Sequence, residues 1–381
     1  MNKHRSSFLS NPCLFAFCAA AALVSPAGVA QSQLAEAHPS TQAIAGHTFK
    51  NIQVLKDIPS DALIPSMQFI SASLGVECGF CHVENHFDQD DKKPKVTARK
   101  MILMTKEINQ DGFDGRRQVT CNTCHRGALV PAAVPLISEE PSRPKIESLD
   151  DEQFLRTLPG PTELVGKYVA ALGGEKALLR IFSRTQKGTT SFAGREVGID
   201  IYDKAPGKRT SFMHLPNGDS VTVFDGQQGW TGSPGHPPRE IPGSEAEGSK
   251  IDADLQFPLH IRQIFPDLRP GRPENIAGRE TYQLVSENAG QPRIRLYFDK
   301  QTGLLLRMVR YSDSPLGLNP VRVDYGDYRP VEGAKVAYQW TVARPSGQFT
   351  IQVAEVRQNV EIDDAKFTKP ATALPQAQAA P

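Results

Sequence analysis

Two pentapeptides constrain this chain more than anything else in it: Cys78-Gly79-Phe80-Cys81-His82 and Cys121-Asn122-Thr123-Cys124-His125. Each sets two thiols three positions apart with a histidine directly after them, so a single helical turn presents both sulfurs and the imidazole together. Two thiols at that spacing can each form a thioether with one vinyl group of a haem, and the adjacent histidine then reaches the iron as an axial ligand. Paired CxxC also occurs in four-cysteine zinc sites, redox-active dithiols and plain disulfide sets. None of these calls for a histidine after each pair. Two covalent c-type haems are therefore expected, with Cys78, Cys81, His82, Cys121, Cys124 and His125 as the attachment and proximal residues.

The remaining two of six cysteines, Cys13 and Cys18, fall in residues 1–30. That stretch reads as a secretory signal peptide, with Lys3 and Arg5 at its start, an apolar run from Leu14 to Val24, and Gly28-Val29-Ala30 at the cleavage position. The run is shorter than the roughly 20 residues that a spanning helix needs. Pro12 and Phe17, which precede the two cysteines, do not make a lipoprotein cleavage context. An exported, periplasmic protein is expected, meeting a membrane only through an uncleaved signal or a partner. The two motifs consume every cysteine that is left, so no disulfide is expected. A net charge of +1, from 43 Lys+Arg against 42 Asp+Glu with no basic run, excludes a nucleic-acid binder.

The sixth ligand to each iron decides the function. Methionine closes the site and raises the reduction potential, whereas an open position invites chemistry on small molecules. Of six methionines, Met1 starts the signal and Met213 and Met308 lie far downstream in strand-like sequence. Met67 lies ahead of the first motif in Pro65–Gly75, where Met67, Ile70 and Leu74 share a helix face, Pro65 suits a first turn and Gly75 a stop. Met101 and Met104 lie ahead of the second, in a helix expected over Val96–Asn109. A helical methionine is ordinarily core packing, but its repetition before both motifs supports ligation. Met67 is expected at the first iron and Met104 at the second, with Met101 its competitor and His38, His47 and His86 as further alternatives. Duplicated helix, turn and CxxCH units imply two haems packed close together. The charged stretch Asp88 to Lys95 between them is expected to face solvent.

The run Lys100-Met101-Ile102-Leu103-Met104-Thr105-Lys106-Glu107-Ile108-Asn109, leading to Val119-Thr120-Cys121-Asn122-Thr123-Cys124-His125-Arg126-Gly127, resembles the cytochrome c subunit of photosynthetic reaction centres. The likeness covers roughly Phe49 to Pro135. It favours Met104 over Met101, because in that family the ligand precedes such a basic, acidic, apolar and Asn run. It implies a His/Met-ligated electron-transfer module that exchanges electrons with a redox protein. That subunit usually carries four haems, and this chain has two attachment motifs.

Beyond Pro135 the texture changes. Residues 138–161 read as a linker, punctuated by Pro159-Gly160-Pro161. Thr162 to Leu179 has helical periodicity, and period-two strands follow over 197–202, 220–224, 293–298, 304–311, 321–325 and 349–353. Turn signals such as Asn217-Gly218 and Asp225-Gly226 separate them, and one further helix is expected near Asp252 to Phe265. The pattern, with Asp299-Lys300-Gln301-Thr302-Gly303-Leu304 between strands and Tyr325-Gly326-Asp327-Tyr328 near the end, resembles the LolA-like half-barrel, a fold that holds hydrophobic ligands.

The expected fold class is thus α+β multidomain: a small, mainly α dihaem domain over 31–137, a linker, and a mostly antiparallel β half-barrel with packed helices over 162–370. A disordered tail is expected over 371–381. His214, His236 and His260 have no metal-ligand spacing, and Trp230 and Trp340 read as core or rim aromatics. With no catalytic constellation, the chain reads as an electron carrier without substrate turnover. The alternatives are a dihaem peroxidase-like enzyme with an open iron, and a hydrophobic-ligand or partner-binding protein with attached haems.

Overall fold

The computed structural model describes residues 43–131, 150–192, 194–287, 293–345 and 347–371. The expected signal peptide with Cys13 and Cys18, His38, the first half of the expected linker and nearly all of the expected tail lie outside these residues.

The N-terminal part is helical: α1 (Ala45–Thr48), α2 (Leu63–Leu74), α3 (Cys78–Cys81), α4 (Lys93–Phe113) and α5 (Cys121–His125). Helix α2 stops where the sequence places glycine, since Gly75 takes φ +67°, a conformation that costs glycine little. Helix α4 is longer than expected because Pro94 opens its first turn and Asp114 closes it in the left-handed region. Leu55, Leu63, Phe69, Ile70 and Ile102 form the core of this part.

After α6 (Asp150–Arg156), α7 (Pro161–Ala171) and α8 (Glu175–Leu179), the chain enters a sheet. Its first strands are β1 (Ser183–Phe192), β2 (Arg195–Lys204), β3 (Lys208–Leu215), β4 (Gly218–Phe224), β5 (Gly229–Ser233) and β6 (His236–Glu240). Helices α9 (Gly243–Ala253) and α10 (Phe257–Ile264) follow, where one helix was expected. Asp254 in extended conformation ends α9 and Pro258 opens α10, so the two cannot be continuous. The return strands are β7 (Arg269–Gly271), β8 (Asn275–Ile276), β9 (Arg279–Ser286), β10 (Arg293–Asp299), β11 (Leu305–Ser314), β12 (Gly317–Val331), β13 (Ala334–Arg344) and β14 (Gly347–Gln358).

The spatial order is β6-β5-β4-β3-β2-β1-β14-β13-β12-β11-β10-β9-β7, antiparallel throughout, with β8 beside β9. The chain therefore starts in the middle, meanders to one edge, crosses to the other through α9 and α10, and returns until its last strand pairs with its first. Ile294, Leu296 and Phe298 of β10 alternate onto one face and pack with Phe265, Ile261 and Leu164 of the helices. Each such fully buried side chain contributes about 1.5–3 kcal/mol. The fold is α+β, a helical N-terminal part followed by a large antiparallel sheet with packed helices.

The turn between β11 and β12 seats the helical part. Leu316 joins the α2 core, Gly317 lies against the Phe69 ring where a Cβ has no room, and Asn319 Nδ2 donates to the Pro65 carbonyl at 3.2 Å. Arg117 donates to the Ser314 carbonyl and pairs with Asp313 at 2.7 Å.

Candidate haem sites

The first motif forms α3, three residues beyond the Gly75 turn. His82 Nδ1 lies 3.0 Å from the Phe87 carbonyl oxygen. A carbonyl only accepts, so Nδ1 carries the proton and Nε2 keeps its lone pair for a metal. Lys95 Nζ donates to the same carbonyl at 2.9 Å and to that of Gln89 at 2.7 Å, while pairing with Asp90 at 3.0 Å. The stretch from Asp88 was expected to face solvent through Lys95. Asp88 to Asp91 do so, but Lys95 is only 9% exposed, because its ammonium satisfies the carbonyls that shape the loop.

Burial pushes the His82 imidazole below its ordinary pKa, and the Lys95, Arg99 and Lys92 charges add to that, against the Phe87 hydrogen bond. Burial likewise pushes the Cys81 thiol up. Hydrogen bonds from Arg99, Lys95 and Asn51 hold the Asp90 carboxyl well below the usual carboxylate range.

Met67, Cys78, Cys81 and His82 line one cavity of about 790 Å³. Its apolar lining includes Ile52, Val54, Leu63, Ile70 and Ile102. Phe87 leans on His82 with ring centroids 5.4 Å apart.

The second motif forms α5. Asn109, buried on the α4 face that also carries Lys95 and Ile102, positions it. Its Oδ1 accepts from the N–H groups of Gln118 and Val119 at 3.0 and 2.8 Å, and its Nδ2 donates to the Val119 carbonyl at 2.7 Å. The Thr120 N–H donates to Thr123 Oγ1 at 3.0 Å, starting the turn. His125 Nδ1 lies 3.0 Å from the Ala128 carbonyl oxygen, the same arrangement as His82. Burial pushes the Cys121 thiol up. Met101 and Met104 are 39% and 42% exposed, and with Ile108 they make an open apolar stripe on α4.

The two units touch. The Gly127 N–H donates to the Ser73 carbonyl at 2.9 Å, and Gly75 faces the Gly127 carbonyl so closely that a Cβ would collide with it. The four motif cysteines are free thiols. Among the described residues no group of three or more His, Cys, Asp or Glu could hold a metal ion, so the two CxxC pairs do not converge as a zinc site requires. The donors present suit covalent haem: unpaired thiols, imidazoles of fixed tautomer, and at the first motif a thioether across the same cavity.

His47 and His86 are exposed. His214 and His260 bond Asp219 and Asp254 at 2.9 and 2.7 Å. Trp230 is buried, and Trp340 packs under Arg209. Sequence reasoning missed Lys95 and Asn109 as positioning residues. Their spacing with Ile102, seven residues apart on one helix face, was the available signal.

Paired CxxCH turns with a carbonyl-fixed histidine in each have the residue pattern of c-type cytochromes. Residues 20–166 match the family described as photosynthetic reaction centre cytochrome C subunit, so the N-terminal half of this chain is related to those subunits. The chain is 33% identical over 96 residues to the photosynthetic reaction center cytochrome c subunit of Thermochromatium tepidum, covering 24% of each chain. It is 26% identical over 187 residues to that of Rubrivivax gelatinosus, covering 46% of this chain and 51% of the relative. The chain thus spans between 24% and 51% of the length of these relatives. A solved LolA superfamily protein from Nitrosomonas europaea aligns at 14% identity and a TM-score of 0.37, over 56% of this chain and 99% of its own.

Proposed function

We propose that this chain is an exported, periplasmic dihaem c-type cytochrome that accepts single electrons from one redox protein and passes them to another. The observation that carries the reading is the cavity of about 790 Å³ that brings Met67 together with Cys78, Cys81 and His82. The match to reaction centre cytochrome c subunits supports covalent haem c in the N-terminal part. On this reading the haem domain spans 31–137 and the sheet domain 162–370.

When bound, each haem c supplies an iron that changes oxidation state by one electron. Cys78 and Cys81, and Cys121 and Cys124, would hold the haems through thioethers to the vinyl groups. Nε2 of His82 and of His125 would each be free to bind the iron. The Phe87 and Ala128 carbonyls hold the two imidazoles in orientation and tautomer. The thioethers of Met67 and Met104 would serve as the methionine ligands and would close the sites to small molecules. Ile52, Val54, Leu63 and Ile70 keep water from the first site. The Gly127 to Ser73 hydrogen bond ties the segment after the second motif to helix α2, which leads into the first, and this would favour transfer between the haems.

Replacing Met67 and Met104 in turn by alanine tests the ligand set. Each change is expected to remove one methionine-linked charge-transfer band from the oxidised spectrum and to open one iron to carbon monoxide in the reduced state. Fast carbon monoxide binding by the unaltered protein is the result that contradicts the reading and favours an open catalytic iron.

A further inference from the structure

The cavity that carries Met67, Cys78, Cys81 and His82 has a second wall built by the sheet, with Arg239, Arg293, Arg310, Tyr311, Asn319 and Arg344 along it. The charges on this wall are unevenly committed. Arg310 binds both carboxylate oxygens of Asp252 at 2.5 and 2.6 Å. Burial alone would raise Asp252, but the Arg310 charge and hydrogen bonds more than offset that and leave the carboxyl below its ordinary value. Arg239, Arg293 and Arg344 make no ion pair within 4 Å among the described residues, although the Arg344 charge also helps to lower the Asp252 carboxyl. On the helical wall, Lys95 and Arg99 are both taken by Asp90, which leaves Lys50 as the uncommitted cation there.

Haem c brings two propionate carboxylates, and they leave the porphyrin on the edge away from the vinyl groups. Thioethers at Cys78 and Cys81 fix the vinyl edge on α3, so the carboxylates are directed away from the helical wall that anchors it. Two carboxylates taken into a largely apolar cavity need counter-charges. Glu77, Glu245 and Glu247 line the same space and repel them. Arginine suits the task, since its planar fork meets a carboxylate with two hydrogen bonds.

We infer that the sheet domain completes the first haem site, with Arg293 and Arg344, aided by Arg239, binding the propionate carboxylates of the haem held by Cys78 and Cys81. The sheet is then part of the redox centre. Its positive charge disfavours the ferric state of that haem and raises its reduction potential relative to a haem without such a wall. The inference rests on covalent haem at Cys78 and Cys81.

The test uses the full chain, matured with haem, with haem content measured on every variant by pyridine haemochrome. Arg293→Gln/Arg344→Gln is compared with Arg293→Lys/Arg344→Lys, which keeps the charge. Midpoint potentials come from spectroelectrochemistry, and the propionate environment from redox-difference infrared bands. The Gln pair is expected to lower the midpoint of one haem and shift its carboxylate bands, leaving the other haem nearly unchanged, and the Lys pair to return the midpoint towards the original. The single Arg344→Gln change, at an exposed side chain, gives the same readout in smaller measure if the double variant does not accumulate. Unchanged midpoints and bands with both haems present would overturn the inference and leave the dihaem reading standing. Equal shifts in the Gln and Lys pairs would also overturn it, since packing and not charge would be at work. Absence of haem at Cys78 and Cys81 would overturn both.

Discussion

His82 and His125 each give an Nδ1 proton to a backbone carbonyl at 3.0 Å, but the carbonyl beside His82 also takes the Lys95 ammonium at 2.9 Å. Among the described residues no second side-chain donor reaches the Ala128 carbonyl beside His125. The contrast extends outward. Met67 lines a cavity with a charged sheet wall, whereas Met101 and Met104 stand on an exposed stripe. One motif geometry is thus set in two environments, so the same residues meet different burial and charge. Positive charge near a haem favours its reduced state, so on the proposed dihaem reading the first site is expected to have the higher potential and the second, more exposed one to face a partner.

The comparison breaks first at attachment. Cys78→Ala/Cys81→Ala and Cys121→Ala/Cys124→Ala are each expected to halve the haem content, read by absorbance per chain. The first pair also empties a cavity of about 790 Å³ and should lower Tm more than the second. Equal losses in Tm would remove the distinction between a cavity-lined and an exposed site. Next in size is Asn109→Ala. It strips partners from the Gln118 and Val119 backbone and is expected to cost about 2 kcal/mol in denaturant unfolding, with incomplete haem attachment at the second motif only.

Lys95→Met sharpens the comparison without removing either haem. Without the ammonium, the Phe87 carbonyl accepts the His82 proton more strongly and the ferric state gains, so one midpoint is expected to fall while the other holds. Asp90→Asn probes the same loop through pH. The Asp90 carboxyl is depressed in the folded state, so its contribution is present above the unfolded value of about 4 and fades as pH falls towards the folded one. The variant should be less stable than the parent at neutral pH, and the gap should close in acid. The smallest effect is expected from Arg117→Ala, whose partner Asp313 is well exposed. A loss of under about 1 kcal/mol in stability is expected, with both midpoints unmoved.

Much of this was legible before any coordinates. The CxxCH turns, the Gly75 stop, the methionine-bearing helices and the apolar strands such as β10 announce themselves through spacing and period. Strand β1 did not, because Ser183–Phe192 is largely polar. It forms in the middle of the sheet because β2 and β14 satisfy its backbone from both sides, and Gln186 and Thr190 are buried there. The break between α9 and α10 was visible only as Asp254 and Pro258 inside an apolar pattern. Lys95 was hidden by its own charge, since a cation in a charged run ordinarily faces water. The sheet wall was hidden by distance along the chain: Arg293 and Arg344 lie more than 200 residues beyond His82, and only the closing of the sheet around the β11–β12 turn brings them to the same cavity.

Covalent haem at both motifs underlies the proposed electron transfer. Intact mass and pyridine haemochrome on the purified chain, made in a host with c-type maturation, measure this directly. The predicted result is two haems per chain, with proteolytic fragments placing one at Cys78 and Cys81 and the other at Cys121 and Cys124. A chain whose mass carries no haem, with its thiols free or bound to zinc, would contradict it.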